Sequence, residues 1–245
     1  MLRCNRSLIP WFAVATLIIL ASSAANSMAQ DKSNDAVIPV PREGGWMKRH
    51  ESFNERVKKG NVDLLLIGDS ITQGWEGAGK GVWEKYYTPR NAVNLGIGGD
   101  RTQHVLWRLD NGNVEGIAPK AAVLMIGTNN AGTNSSVQIA EGVEAIVKKL
   151  RTKLPKTKIL VLGIFPRGAT VEDARRKVNV GANLSIRKLA DGEMVHYLDI
   201  GDKFLNDDGT LSKEVMPDLL HLNDKSYATW AAAIEPKLKE LMGEK

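Results

Sequence analysis

Short apolar runs alternate with longer amphipathic patterns along most of the chain. The apolar runs are nearly continuous, as expected for parallel strands that are covered on both faces. They predict five strands, at 62–67, 92–95, 121–126, 158–164 and 194–198. Spacing close to 3.6 residues predicts helices at about 46–59, 102–110, 136–152, 171–190 and 226–241. Repeated strand–helix–strand units predict an α/β fold, an open five-stranded parallel sheet with helices on both faces.

The first thirty residues have a different pattern. Arg3 and Arg6 precede an apolar run at 8–20, and small residues follow as far as Ala29. This order predicts a signal peptide at 1–29, and the run is short for a bilayer span. We therefore expect export, to a periplasm or the outside, with no stable membrane anchor after cleavage near Ala29. An uncleaved anchor is the alternative. The only cysteine, Cys4, precedes the apolar run, so lipid attachment is not expected.

The rest of the chain has the length of one α/β domain. We place this domain at 46–245, after a polar lead-in at 30–45 that contains proline and glycine and is expected to be extended. The full chain has a net charge of +5 without a Lys/Arg stripe. Such a mild excess is weak evidence for nucleic-acid binding, and we expect no nucleic-acid partner.

Three of the predicted strands run directly into polar or glycine-rich segments, at 68–70, 96–100 and 127–130. In open parallel sheets, reactive groups gather beyond the carboxyl ends of the strands, near the switch in strand order. The three segments should therefore converge at one edge of the sheet, which is the predicted location of a functional site.

Ser70 and His221 are the candidate reactive residues at this edge. Ser70 should lie at a sharp strand-to-helix bend, where a serine can be either a nucleophile or simply a helix N-cap. His221 follows Asp218 by three residues, a spacing that places a carboxylate beside the imidazole on one turn. Such a pair can act as a general base with its orienting carboxylate, or form a merely structural contact.

Acyl transfer also needs hydrogen-bond donors for a developing oxyanion. The candidates are the backbone N–H of Ser70, the backbone N–H of Gly99 and the side-chain amide of Asn129. Glycine at position 99 lets a substrate approach the backbone closely. Each of these residues also has an ordinary turn-forming interpretation, and their convergence favours the functional one.

No metal site is predicted. His50, His104 and His196 are scattered, no H-E-x-x-H pattern occurs, and no phosphate- or dinucleotide-binding glycine pattern is present. The acidic residues before Gly209 have the wrong spacing for a calcium loop.

The four segments resemble, in order, the four blocks of the SGNH (GDSL-type) hydrolases. They are Gly68-Asp69-Ser70, the segment around Gly99, Gly127-Thr128-Asn129 and the segment 218–221. The sixteen residues 94–109 more specifically resemble the platelet-activating-factor acetylhydrolase catalytic subunits, as do residues 127–130. The resemblance covers about 46–240. It implies a three-layer, flavodoxin-like α/β/α fold.

The same resemblance implies a role for each of the candidate residues. Ser70 is the nucleophile, and Asp218 and His221 complete the triad. Gly99 and Asn129 are oxyanion donors with the Ser70 N–H. Many SGNH enzymes have Asp after the third-block Asn; this chain has Asn130, as the acetylhydrolase subgroup does.

The expected activity is hydrolysis of short-chain, acetyl esters through an acyl-enzyme, without a cofactor. Ile71 and Leu220 are candidates for the wall of a short acyl pocket. The expected substrate is a small-molecule or glycan acetyl ester, either an acetylated carbohydrate or a platelet-activating-factor-like ester. The alternatives are a lysophospholipase or thioesterase for longer chains, and a non-catalytic glycan-binding protein. A homodimer is consistent with the resembling subgroup.

Overall fold

In a computed structural model of the protein, which describes Met1 and residues 33–245, five strands form one parallel sheet. They are β1 (Leu64–Gly68), β2 (Ala92–Gly96), β3 (Ala121–Met125), β4 (Lys158–Leu162) and β5 (Val195–Leu198). The strand order is β2-β1-β3-β4-β5, and Leu64 pairs with both Ala92 and Ala121. The order switches direction at β1, as in flavodoxin-like sheets, so the predicted sheet is confirmed.

Seven α-helices lie in the described part of the chain. They are α1 (Gly45–Lys58), α2 (Ser70–Gln73), α3 (Lys80–Tyr86), α4 (Thr102–Asp110), α5 (Ser136–Lys153), α6 (Ala174–Ile186) and α7 (Asp224–Met242). The five predicted helices are all present. The sequence patterns missed α2, which is a single turn, and α3, which has no buried side chain to create an apolar stripe.

Alternate residues of each strand face two separate hydrophobic cores. On β1, Leu65 and Ile67 belong to the core beneath α1, α4, α5 and α6. Leu64 and Leu66 belong to the core beneath α7, which also contains residues of α2 and the 201–222 segment. Both faces of the sheet are therefore covered, and this explains why the strands are almost uniformly apolar.

β4 ends two residues earlier than its apolar run predicted. The backbone of Ile164 leaves the strand ladder and bonds to the side chain of Asn183 on α6. The Ile164 N–H donates to Asn183 Oδ1 at 2.8 Å, and its carbonyl accepts from Asn183 Nδ2 at 3.0 Å. The side-chain amide replaces a neighbouring strand and turns the chain out of the sheet.

The lead-in is anchored to the domain rather than simply extended. Residues 34–245 form one compact unit, and a 3₁₀ turn, Asp35–Val37, occurs within the lead-in. Ala36 is fully buried, and its carbonyl accepts a hydrogen bond from Thr102 Oγ1 on α4 at 2.7 Å. The lead-in therefore packs against α4. Apart from Met1, the predicted signal peptide lies outside the described residues. None of the helices at 33–245 is long and apolar enough to cross a membrane.

A glycine at the end of β2 allows α2 to approach the sheet. A Cβ on Gly96 would lie 2.2 Å from the backbone nitrogen of Gln73 and 2.6 Å from the carbonyl carbon of Thr72. Backbone atoms cannot move aside as a flexible side chain can. The absence of a side chain at position 96 is thus a condition for placing Ser70, at the start of α2, at this edge.

Substituting this glycine should loosen the packing of α2. We expect Gly96→Ala to lower the free energy of unfolding by about 3 kcal/mol, the scale of overpacking in a dense core. Gly81→Ala is the matched control, because Gly81 lies within α3 and nothing lies within 4 Å of its added Cβ. The free energy of unfolding of that variant should rise by up to about 1 kcal/mol. Urea unfolding would measure both, and equal stabilities would contradict the close approach.

Candidate active site

Ser70 occupies the first position of α2, directly after β1. The helix N-cap is Asp69, whose Oδ1 accepts the Ile71 N–H at 3.0 Å. Ser70 is therefore not the N-cap residue of α2. Because Asp69 supplies the cap, the Ser70 hydroxyl is left for another partner.

That partner is His221. Ser70 Oγ lies 2.8 Å from His221 Nε2, and His221 Nδ1 lies 2.6 Å from Asp218 Oδ2. With Nδ1–H donating to the carboxylate, Nε2 is free to accept the serine proton. The structure thus brings the three predicted triad residues together in one hydrogen-bonded chain, in the order expected of a nucleophile, a base and an orienting carboxylate.

A tight loop brings Asp218 and His221 onto one side. Leu219 between them has φ of +60°, a left-handed conformation that is costly for a branched residue. Hydrogen bonds hold it there: the Leu219 N–H donates to Met216 O at 2.8 Å, and the Gly168 N–H donates to Leu219 O at 2.9 Å. The strained residue, Leu219, therefore lies in the short segment between Asp218 and His221.

The Asp218 carboxylate is held ionised. Partial burial by itself raises its pKa, but hydrogen bonds outweigh this effect and set the pKa below its ordinary value. The backbone N–H groups of His221 and Leu220 donate to Oδ1 at 2.7 and 3.0 Å, while the His221 ring binds Oδ2. An ionised carboxylate at this position stabilises the imidazolium that forms when His221 takes up a proton.

The predicted oxyanion donors lie in the loops after β2 and β3. Gly99 has φ of +75°, a conformation that favours glycine. The Asn129 side chain donates one N–H to the Asp100 carbonyl at 2.9 Å, which fixes the amide and leaves its second N–H for a ligand. The N–H of Ser70, in the first turn of α2, has no intrahelical acceptor. Each of the three groups remains a predicted donor.

Two positioning residues were missed by the sequence reasoning. Arg42 Nη1 donates to Gly98 O at 2.8 Å, and the Gly98 N–H donates to Gln73 Oε1 at 2.7 Å. The Gly98 carbonyl and the Gly99 N–H belong to the same peptide group. Arg42 therefore orients and polarises the group that presents the Gly99 donor. No motif indicated this, because Arg42 lies in the lead-in, far from Gly98 in the sequence.

The predicted acyl-pocket wall is only partly on the surface. Leu220 is half-buried and packs against the core beneath α7. Ile71 is 2% exposed, lies within that core, and accepts a hydrogen bond from Tyr227 through its carbonyl. Ile71 therefore supports α2 from below rather than forming a surface wall. Ile71 follows Ser70, the first residue of α2, and its side chain packs with residues of the sheet.

Residues 33–245 contain no cluster of three or more His, Cys, Asp or Glu side chains suited to hold a metal ion. His50 and His104 instead pack with Trp46 near α1 and α4. Burial lowers the pKa of His104 to about 4, with contributions from neighbouring arginines, so it is neutral at pH 7.

The fold and this site define a class: a hydrolase built on a flavodoxin-like α/β sheet, with Ser70 at the switch in strand order. The GDSL-like Lipase/Acylhydrolase family model matches residues 66–229, more than half of the chain. The chain therefore belongs to the GDSL-like lipase/acylhydrolase family, and it is an esterase-type hydrolase.

Sequence relatives and solved structures agree with this family. The chain is 39% identical over 225 residues to platelet-activating factor acetylhydrolase IB subunit alpha2 of Rattus norvegicus, covering 89% of this chain and 96% of the relative. A GDSL-like lipase of Bacteroides thetaiotaomicron superposes with a TM-score of 0.63 at 18% identity, covering 79% of this chain and 97% of that one. An acetyl xylan esterase superposes with a TM-score of 0.60 at 22% identity, covering 72% and 100%. The two structures show the shared fold.

The N-cap of α2 should make stability depend on pH. Asp69 is fully buried and its Oδ2 has no hydrogen-bond partner among the described residues. Burial, with a contribution from Asp100, raises its pKa from the ordinary 3.8 to about 7. The unfolded chain releases this proton more readily than the folded one. The protonated Asp69 side chain therefore contributes its full stability below about pH 4, and this contribution is lost as the pH rises through 7.

Asp69→Asn should remove this dependence while retaining the cap through its amide oxygen. As the pH rises from 4 to 7, we expect the free energy of unfolding of the variant to increase relative to that of the wild type, by an amount on the order of 4 kcal/mol at pH 7. Urea unfolding across this range would measure it. If the free energy of unfolding changed with pH in the same way in both proteins, the raised pKa of Asp69 would be contradicted.

Proposed function

We propose that the protein hydrolyses short-chain esters, acetyl esters above all, through an acyl-enzyme on Ser70. The observation that carries this proposal is the continuous chain from Ser70 Oγ to His221 Nε2 and from His221 Nδ1 to Asp218, at 2.8 and 2.6 Å. These distances are within hydrogen-bonding reach for a nucleophile, its base and the orienting group.

In the first half-reaction, Ser70 Oγ attacks the ester carbonyl while its proton moves to His221 Nε2. Asp218 stabilises the imidazolium through the Nδ1–H bond. The carbonyl oxygen becomes an oxyanion and takes hydrogen bonds from the Ser70 N–H, the Gly99 N–H and the Asn129 amide. Collapse of the intermediate expels the alcohol, which receives its proton from Nε2.

In the second half-reaction, a water molecule replaces the alcohol. His221 removes its proton, the oxygen attacks the acyl-enzyme, and Ser70 is released with its proton restored. The residues named above supply every proton transfer in this sequence.

One observation favours a small acyl group: relatives at 36–39% identity are named platelet-activating factor acetylhydrolases. For the alcohol part, an acetylated carbohydrate and a platelet-activating-factor-like ester are the two candidates, and a structure with the same fold is named an acetyl xylan esterase.

We also propose, from the sequence alone, that the chain is exported to a periplasm or the exterior after cleavage near Ala29. It would act there as a homodimer without a stable membrane anchor. The resemblance to dimeric acetylhydrolase subunits supports the dimer.

Hydrolysis of p-nitrophenyl acetate, butyrate and octanoate tests the activity and the chain length together. We expect turnover to be highest on acetate, and Ser70→Ala to reduce it by about a thousandfold or more, because the nucleophile is lost. A rate that rises steadily towards octanoate would favour the lysophospholipase or thioesterase alternative. Inactivity on all three esters would favour the non-catalytic glycan-binding alternative.

Thr229→Ala is a suitable control for this series. Thr229 lies on α7, and among residues 33–245 its hydroxyl bonds only to the Lys225 carbonyl one turn earlier on the same helix. Turnover of this variant should equal that of the wild type, so a loss seen only in Ser70→Ala would be specific to the nucleophile.

A further inference from the structure

A pair of arginines lies beside the loop that carries Asn129. Arg167, which follows β4, donates from Nη1 to both the carbonyl and the hydroxyl of Thr128, at 3.2 and 3.1 Å. Thr128 is the residue before Asn129, so this guanidinium is held at the rim of the site. Arg167 is half-buried, and the charges of Asp69 and Asp218 act on it.

Arg175, in the first turn of α6, reaches the same loop. Its guanidinium lies 3.5 Å from the point where a Cβ on Gly132 would stand. Arg175 is exposed, and it is close enough to Arg167 to lower the pKa of that group, second only to burial in its effect. Two guanidinium groups thus face the segment 128–132 from neighbouring elements.

Within residues 33–245, no carboxylate forms a salt bridge with either arginine of this pair. The arginines that form ion pairs within the described residues are Arg42, Arg49, Arg90 and Arg108. Two of the carboxylates that act on Arg167 have other partners: Asp218 binds His221, and Asp173 caps α6 by accepting the Arg176 N–H. The third, Asp69, is buried. Like charges without a counterion repel each other, and a bound anion would relieve this cost.

We propose that Arg167 and Arg175 form a subsite for an anionic group, a phosphate or a carboxylate, in the alcohol part of the ester. The inference rests on the proposed esterase function. An acetyl group carries no charge, so a charge recognised beside the site must belong to the alcohol. The subsite therefore favours anionic acetyl esters over neutral ones.

A matched pair of esters tests the subsite. 4-Acetoxybenzoate carries a carboxylate, and methyl 4-acetoxybenzoate is its neutral counterpart. We expect the wild type to show a higher kcat/KM for the anion, and Arg175→Gln to lower the anion-to-neutral ratio about threefold to fivefold, the scale of a partly exposed ion pair. Arg175→Lys keeps the charge and should retain most of the preference. High salt should weaken the preference of the wild type.

Lys156→Gln is the charge-matched control. Lys156 is exposed in the turn before β4, at the amino ends of the strands, and its removal changes the net charge equally. It should leave the ratio unchanged. 4-Acetoxyphenyl phosphate in the same assay distinguishes phosphate from carboxylate recognition. An equal anion-to-neutral ratio in the wild type and Arg175→Gln would overturn the subsite.

Binding of the alcohol product separates this proposal from the esterase proposal. Calorimetric titration with 4-hydroxybenzoate needs no turnover, and its affinity should fall threefold to fivefold in Arg175→Gln but not in Lys156→Gln. Equal affinities in all three proteins would overturn the subsite even if esters are hydrolysed. Weaker binding to Arg175→Gln, in a protein that hydrolyses no ester, would support the subsite and contradict the esterase.

Discussion

The buried carboxylate of Asp100 joins the parts of the chain from which the site is assembled. It is fully buried and accepts hydrogen bonds from Trp46 on α1 at 2.6 Å and from Arg108 on α4 at 2.9 Å. Arg42 of the lead-in lies 3.4 Å from the same carboxylate, and the backbone carbonyl of Asp100 accepts a hydrogen bond from the Asn129 amide. A buried charge is costly unless it is fully partnered. These donors therefore fix the segment after Gly99, and with it the geometry proposed for the oxyanion hole.

The position of Ser70 depends on a second buried carboxyl group, that of Asp69. Asp69 caps α2, so the neighbouring Ser70 hydroxyl can bond to His221 instead. On the other side of Ser70, Ile71 is in the core, and Tyr227 donates to its carbonyl at 2.6 Å. The serine is thus held between a capped helix start and a core residue. This preorganisation limits the motion of Ser70 relative to His221.

The sequence predicted the sheet because it depends on local patterns, while the triad residues were identified through the resemblance of four short segments to a known family. Continuous apolar runs identify strands buried on both faces, and the three segments after β1, β2 and β3 had to meet where the strand order reverses. Long-range polar contacts leave no such pattern. The bond from Arg42 to Gly98, the turn of Ile164 towards Asn183 and the burial of Ile71 each depend on the tertiary structure. The single turn of α2 is too short to show a periodicity.

The central claim is that His221 activates Ser70 as the nucleophile, and covalent trapping tests it most directly. The purified protein would be incubated with a fluorophosphonate, which phosphonylates activated serines, and then analysed by intact mass and peptide mapping. The account predicts one adduct per chain, located on Ser70, and much slower labelling of His221→Gln. Labelling of another serine, or ester turnover by a protein that the reagent leaves unlabelled, would contradict it.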